Sequence, residues 1–309
     1  MIIAVDTGNK QMKTAGNAFV SGFIESETPP PFGENTLQYK GKYYSLSSQR
    51  TPYMRDKTKD DRFFILTLFA IAAELERRCI YEPGELMAIQ LLIGLPPAHY
   101  GSLHKSFEEY YRAHKEDIFF VYNKVRYSVY INDVASYPQA YAAAIPNFGN
   151  VKEIPKAVVL DWGGYTFDYV QLKNGKVDMS VCDSLEHGVI MLYNRVRSKV
   201  NSQLDILLDE SDIDAIVQET PNGFSNEVVA LVRRTTQQFV ADVLGGLREL
   251  GIDLKSCHAV FVGGGAVLLR EFIQASGKIA AATYVTDIHA NAKGYELLYK
   301  LAMTQKGRR

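Results

Sequence analysis

Ala157-Val158-Val159-Leu160-Asp161-Trp162-Gly163-Gly164-Tyr165-Thr166-Phe167-Asp168 is the most informative stretch of this chain. Its first four residues form a short apolar run that reads as a buried strand. The next eight hold an acid, two glycines, a hydroxyl and a second acid. Gly163 and Gly164 let the backbone bend sharply and approach a ligand closely. Successive backbone N–H groups in such a turn, with Tyr165 and Thr166 completing it, can wrap phosphate oxygens. Asp161 ends the strand, where a carboxylate suits a metal ion or its water shell. Thr166 can donate to a phosphate, and Asp168 orients the turn or caps a backbone group.

The same strand followed by Asp-x-Gly opens the chain. Ile2-Ile3-Ala4-Val5 runs into Asp6-Thr7-Gly8-Asn9-Lys10-Gln11-Met12-Lys13. Gly8 and Asn9 make a second candidate phosphate turn. Asp6 is placed to hold hydrated Mg²⁺, and Lys13 puts a cation on the returning strand. From these residues alone, an ordinary hairpin with a capping aspartate reads equally well. A third apolar run, Ala259 to Val262, enters Gly263-Gly264-Gly265-Ala266. No side chain there blocks a flat base or ribose, and the helix that follows adds partial positive charge at its N-terminus. The GxxxxGK[ST] and GxGxxG patterns are absent, which disfavours a P-loop and a Rossmann dinucleotide site.

Between these turns the pattern alternates strands and helices, an α/β architecture. Strands dominate Lys13 to Ser48, with a hairpin at 39–44. Helices are expected over Asp60–Arg78, Ser102–His114, Gln139–Ile145, from Ser211, over Asn226–Leu250 and over Asn291–Met303. Further strands are expected at Leu86–Ile93, closed by Gly94-Leu95-Pro96-Pro97, and at Val121–Ile131. A loop at 146–155 is a candidate crossing between domains. The repeated Asp-x-Gly unit, half a chain apart, points to two related domains facing one another.

The 309 residues suit about two domains, and 34 basic against 35 acidic side chains leave a formal net charge of −1. That balance supplies no uniform field for nucleic acid or membrane. Cys79, Cys182 and Cys257 are far apart without CxxC spacing, which argues for buried free thiols and against a disulfide framework or zinc site. Met1 to Val5 is too short for a signal-peptide core and meets Asp6 at once. No apolar run reaches about 18 residues, and the basic tail at 306–309 is expected to be solvated.

The three glycine turns, in this order, resemble the phosphate-1, phosphate-2 and adenosine motifs of the superfamily of actin, Hsp70 chaperones and sugar kinases. Tyr137-Pro138-Gln139-Ala140-Tyr141-Ala142-Ala143-Ala144 resembles its first connecting helix, whose opening Gln or Glu orients the attacking water. An alignment placing Ala135 there would leave no side chain for that chemistry. Ala290-Asn291-Ala292-Lys293-Gly294-Tyr295 and Leu95-Pro96-Pro97-Ala98-His99-Tyr100 resemble segments of the bacterial plasmid-segregation actins of the ParM/StbA family.

That resemblance implies an actin-like fold: two related α/β domains around a nucleotide cleft, the first spanning 1–150 and completed by helix 287–309, the second spanning 151–286. It implies ATP and Mg²⁺ as ligands, with the phosphates held by Gly8, Asn9, Lys13, Gly163, Gly164, Tyr165 and Thr166. Gly188, Gly263, Gly264, Gly265 and Ala266 would approach the nucleoside. Asp6 and Asp161 would hold the metal through water and, with Gln139, form the catalytic set. It further implies a cytoplasmic ATPase that polymerises with itself and engages plasmid DNA indirectly, through a centromere-binding adaptor and without a membrane. A scaffold or cytoskeletal filament, a metabolite kinase using Asp168 as base, or a non-hydrolysing nucleotide binder are the alternatives.

Overall fold

The computed structural model describes residues 1–31, 33–82, 84–147, 153–221 and 223–306. Residues 148–152 of the expected crossing loop and 307–309 of the basic tail lie outside them. The chain divides into two compact units, Met1–Pro146 with His289–Arg309, and Asn147–Ile288.

In the first unit β1 (Ile2–Thr7) forms a hairpin with β2 (Gln11–Lys13), which β3 (Ala18–Val20) extends. On its other side β1 lies parallel to β7 (Leu86–Leu95), and β7 lies parallel to β9 (Val125–Pro138). Beyond β9 come β8 (Ile118–Tyr122), β5 (Thr36–Tyr39), β6 (Lys42–Leu46) and β4 (Phe23–Ser26). The second unit carries the order β12 (Lys176–Leu185), β11 (Phe167–Lys173), β10 (Lys156–Trp162), β13 (His258–Val262), β14 (Ala281–Tyr284). Here β10 again has an antiparallel hairpin partner on one side and two successive parallel strands on the other. Strand for strand this repeats β3-β2-β1-β7-β9, including direction.

β1 is apolar at successive positions because both faces of the sheet are covered. Ile3 and Val5 join the core built around α1 (Arg62–Arg78), while Ala4 meets Ala142, Ala292 and Tyr295 on the opposite face. Those last residues belong to α3 (Tyr141–Ala144) and α9 (Ala290–Lys306). The two helices approach closely. A Cβ on Gly294 would stand 1.9 Å from the Ala142 carbonyl oxygen. In the second unit Val158, Leu160 and Trp162 share a core with residues of α4 (Val189–Leu204), α5 (Glu210–Val217) and α6 (Asn226–Glu249). α5 starts at a capping box, with the Asp209 carboxylate accepting from the Asp212 amide and the Asp212 carboxylate from the Asp209 amide.

Several expected boundaries move. α2 (Pro97–Arg112) begins five residues before Ser102, because Pro97 fits the first helical turn, where a missing N–H costs nothing. β7 continues through Gly94 and Leu95, which still have ladder partners in β9. The single strand expected at 121–131 is a hairpin, β8 and β9, turning at Asn123 and Lys124, both at positive φ. The helix expected to open at Gln139 does not. Pro138 is the last residue of β9, Ala140 sits at φ 60°, and the helix is confined to Tyr141–Ala144. Parallel pairing of Leu95 with Pro138 holds the chain extended past the proline. Of the three free thiols only Cys257 is buried, and Cys79 is exposed as the left-handed residue that ends α1.

Glu74, with no exposed side-chain surface, ties α1 to its surroundings. It accepts from Thr14 at 2.7 Å, from Asn17 at 3.2 Å and from Arg77 and Arg78, and Arg78 reaches on to Glu296 of α9. Burial would raise its pKa, but the hydrogen bonds from Arg77, Thr14 and Arg78 outweigh that and bring it down to about 2. A depressed carboxylate stabilises the fold above its unfolded pKa and loses that contribution as pH falls toward its folded value. Glu74→Gln should therefore cost about 2 kcal/mol near pH 7. The deficit should shrink as both proteins are taken from pH 5 toward pH 2, as urea titrations would show.

Candidate functional site

Each unit places an aspartate one residue before the end of a strand, β1 or β10, followed by a glycine turn. In the first unit Asp6 pairs with Lys13, and Thr7 with Met12, across the β1–β2 hairpin. The turn's carbonyls are tied down on one side. Ser21 donates from its hydroxyl to the Gly8 carbonyl at 2.6 Å and from its amide to the Lys10 carbonyl at 3.0 Å. Because a trans peptide sets C=O and N–H on opposite sides, the amides of Asn9 and Gln11 turn away from Ser21. Gly8 is required here: a Cβ would come within 2.5 Å of the Gln11 carbonyl oxygen. The Asn9 side-chain oxygen accepts from the Met54 amide at 3.2 Å, so that side chain anchors the segment after β6. Lys13 is half-buried on β2.

Gln139 reaches this turn from the end of β9. Its amide nitrogen donates to the Asp6 carboxylate at 2.6 Å, and both side chains are buried. A carboxylate only accepts, so the NH₂ group must face it and the amide oxygen is left as the acceptor. The backbone holds this geometry, since the Gln139 amide donates to the Leu95 carbonyl at 2.8 Å and Asn291 accepts from the Ala140 amide at 3.2 Å. Ala135, by contrast, lies inside β9 opposite Leu92.

In the second unit the β10–β11 hairpin is closed by the Gly163 amide donating to the Thr166 carbonyl at 2.9 Å. The carbonyls of Gly163, Gly164 and Tyr165 accept in turn from the amides of Val189, Ile190 and Gly188 at the start of α4. By the same peptide geometry the N–H groups of Gly164, Tyr165 and Thr166 point away from that helix, together, as an anion-binding turn requires. Gly188 serves this packing. Its Cβ would stand 2.4 Å from the Gly164 carbonyl oxygen. The N-terminus of α4 is thus spent on the turn.

The third turn meets the second. β10 and β13 pair Asp161 with Val262, so Gly263 falls beside the Asp161 carboxylate, 2.2 Å from where its Cβ would be. Gly263 also has φ 88° and ψ 159°. Gly265 is packed on Trp162 and Val189, and Ala266 is buried in α7 (Gly264–Leu268). Gly264 alone faces open space within 4 Å. Across the hairpin Asp161 is paired with Asp168, and both carboxylates are buried. Their carboxyl oxygens are hard donors of the kind that fits a hydrated Mg²⁺.

Ser21 and Lys57 hold hairpin backbone and were invisible to motif reading, since each lies in an unpatterned segment. Lys57 is buried and donates to the carbonyl and hydroxyl oxygens of Thr7. Among the described residues no helix is long and apolar enough to cross a membrane, and no cluster of three or more His, Cys, Asp or Glu could hold a metal directly.

Two family models match the chain in succession. Residues 4–141 match the N-terminal domain of actin-like proteins, and residues 159–275 the C-terminal domain of archaeal MreB-like actin homologues. No curated protein matches the sequence. Among solved structures, the archaeal actin homologue Ta0583 is 18% identical over 97% of this chain and 99% of its own, with a TM-score of 0.76. The actin-like protein Alp7A is 14% identical over 100% and 98%, with a TM-score of 0.73. The Bacillus thuringiensis ParM solved with ATP is 10% identical over 98% of each chain, with a TM-score of 0.67. With the duplicated sheet order and both units matched by models of actin homologues, the chain has the actin-like fold.

Proposed function

We propose that this chain is a Mg²⁺-dependent ATPase of the ParM-like segregation actins, polymerising with itself and drawing plasmid DNA through an adaptor protein. The observation that carries the reading is the pair of hairpins. In each, carbonyls are tied down on one side and amides turned to the other, beside a strand-ending aspartate. Ta0583 solved with ADP and the Bacillus thuringiensis ParM solved with ATP support the choice of nucleotide, and the Alp12 filament structure supports self-assembly.

The amides of Asn9, Gln11, Gly164, Tyr165 and Thr166 donate to phosphate oxygens, and Lys13 adds a cation. Asp6 and Asp161 would hold the metal's water shell, and Gly263, lacking a Cβ, leaves the Asp161 carboxylate its room. When bound, Mg²⁺ neutralises charge developing on the β- and γ-phosphates. Gln139, its nitrogen held by Asp6, presents its oxygen to the attacking water and acts by orientation. Gly264 admits the nucleoside. Filaments follow from head-to-tail contacts that do not close, and hydrolysis loosens them through the different contacts of ATP and ADP. The near-neutral charge agrees with an adaptor carrying the DNA contact, since direct phosphate binding favours a basic face.

Sedimentation and negative-stain imaging with ATP·Mg²⁺, ADP·Mg²⁺ and no nucleotide test this. Filaments are expected with ATP·Mg²⁺ and their loss as phosphate is released. Monomers at every concentration with ATP·Mg²⁺ would remove the filament role. The adaptor is tested separately, by whether a DNA-binding protein encoded beside this gene co-sediments with the filaments.

A further inference from the structure

Segment 47–61, between β6 and α1, carries no recognisable motif, yet it lies against the β1–β2 hairpin. The Thr51 amide and hydroxyl both reach the Ser21 carbonyl at 2.9 Å, and the Met54 amide reaches Asn9 at 3.2 Å. Lys57 goes deepest. Its ammonium donates to the Thr7 carbonyl and lies 3.3 Å from the Thr7 hydroxyl, which itself donates to the Gly94 carbonyl. It stands 5.0 Å from the Phe63 ring centre and 5.9 Å from that of Phe107. Only 5% of the residue is exposed.

Burying an ammonium is costly, and a carbonyl can be held by a neutral donor, as Ser21 holds that of Gly8. Thr7 stands between Asp6, which holds Gln139, and Gly8, which makes the turn. The charge is therefore placed one peptide from the groups that would meet the nucleotide's phosphates. Two aromatic faces steady it.

We propose that Lys57 is a positioning residue of the phosphate hairpin. It fixes the Thr7–Gly8 peptide and supplies, from behind the turn, a positive charge that favours the bound phosphates. This rests on the ATP reading above. Aromatic faces and low dielectric keep the charge effective, because buried charges are weakly screened.

The test compares wild type, Lys57→Gln and Lys57→Arg in titrations with ATP·Mg²⁺, ADP·Mg²⁺ and adenosine. Glutamine keeps a donor without charge on a side chain one bond shorter, and arginine keeps the charge. Lys57→Gln should bind both nucleotides about tenfold more weakly, leave adenosine unchanged and lower kcat/KM mainly through KM. Lys57→Arg should recover most of the loss. Equal nucleotide affinity for Lys57→Gln and wild type would overturn the proposal. So would a loss for adenosine as large as for ATP, since that marks general disruption. Wild type that binds no ATP·Mg²⁺ would instead sink the nucleotide reading, and this role with it. If Lys57→Gln does not fold, the ATP-to-adenosine affinity ratio of Lys57→Arg decides, and only a ratio near wild type supports the assignment.

Discussion

Gln139→Ala should bind ATP·Mg²⁺ nearly as tightly as wild type while releasing phosphate on the order of 10²-fold more slowly. The side chain is held from both ends of its residue. Its backbone amide is bonded to Leu95, and its side-chain nitrogen lies 2.6 Å from Asp6. That leaves one oxygen in one orientation, which suits a group that aims a water and takes no proton from it. Alanine removes the oxygen, and with it the donor to Asp6, while Gly8 and Ser21 still hold the β1–β2 turn. Gln139→Glu is not a conservative control. An ionised glutamate cannot donate to Asp6, and two carboxylates so close would force one to keep a proton. Single-turnover phosphate release, read beside an equilibrium ATP titration, separates the two effects. Unchanged release in Gln139→Ala would take the residue out of this role.

The three consecutive glycines 263–265 should behave as three different residues. Gly263→Ala meets two obstacles. Its backbone, at φ 88° and ψ 159°, lies where essentially only glycine is found, at a cost of about 1–3 kcal/mol for other residues. Its new Cβ would also stand 2.2 Å from the Asp161 carboxylate and 2.8 Å from the Trp162 carbonyl oxygen. The protein should melt roughly 5–10 °C lower, and ATP·Mg²⁺ affinity should fall at least about tenfold as Asp161 is displaced. Gly264→Ala has nothing within 4 Å to strike. Its melting temperature should stay within about 2 °C of wild type, while nucleotide affinity drops because the methyl intrudes where the nucleoside would lie. Thermal melts paired with ATP titrations on both variants give the answer. Gly264→Ala with full affinity would move the nucleoside away from this turn.

Much of the strand scaffold was readable because its signals are local. Apolar runs at 2–5, 157–160 and 259–262 each end at a glycine turn, and β1, β10 and β13 stand there. Errors gathered where partners override preference. Pro138 followed by an alanine run has the local marks of a helix start. Pairing with Leu95 instead keeps the chain in β9 and carries Gln139 onto Asp6 ahead of the helix. The hairpin at Asn123 and Lys124 was missed because Val121 to Ile131 alternates without a glycine to mark the bend.

Residue order alone established the α/β class, the duplicated strand-Asp-Gly unit and the positions of the glycine turns, because backbone freedom at glycine and the apolarity of a buried strand are properties of the residues themselves. Tertiary structure assigned the work within those turns. It directed the carbonyls of 163–165 onto the start of α4, seated Gly263 against Asp161 and brought Ser21 and Lys57 beneath the first hairpin. Those contacts join residues up to 102 positions apart, as with Asp161 and Gly263. Hydrogen-bond direction and steric exclusion at such separations arise only once the strands have paired.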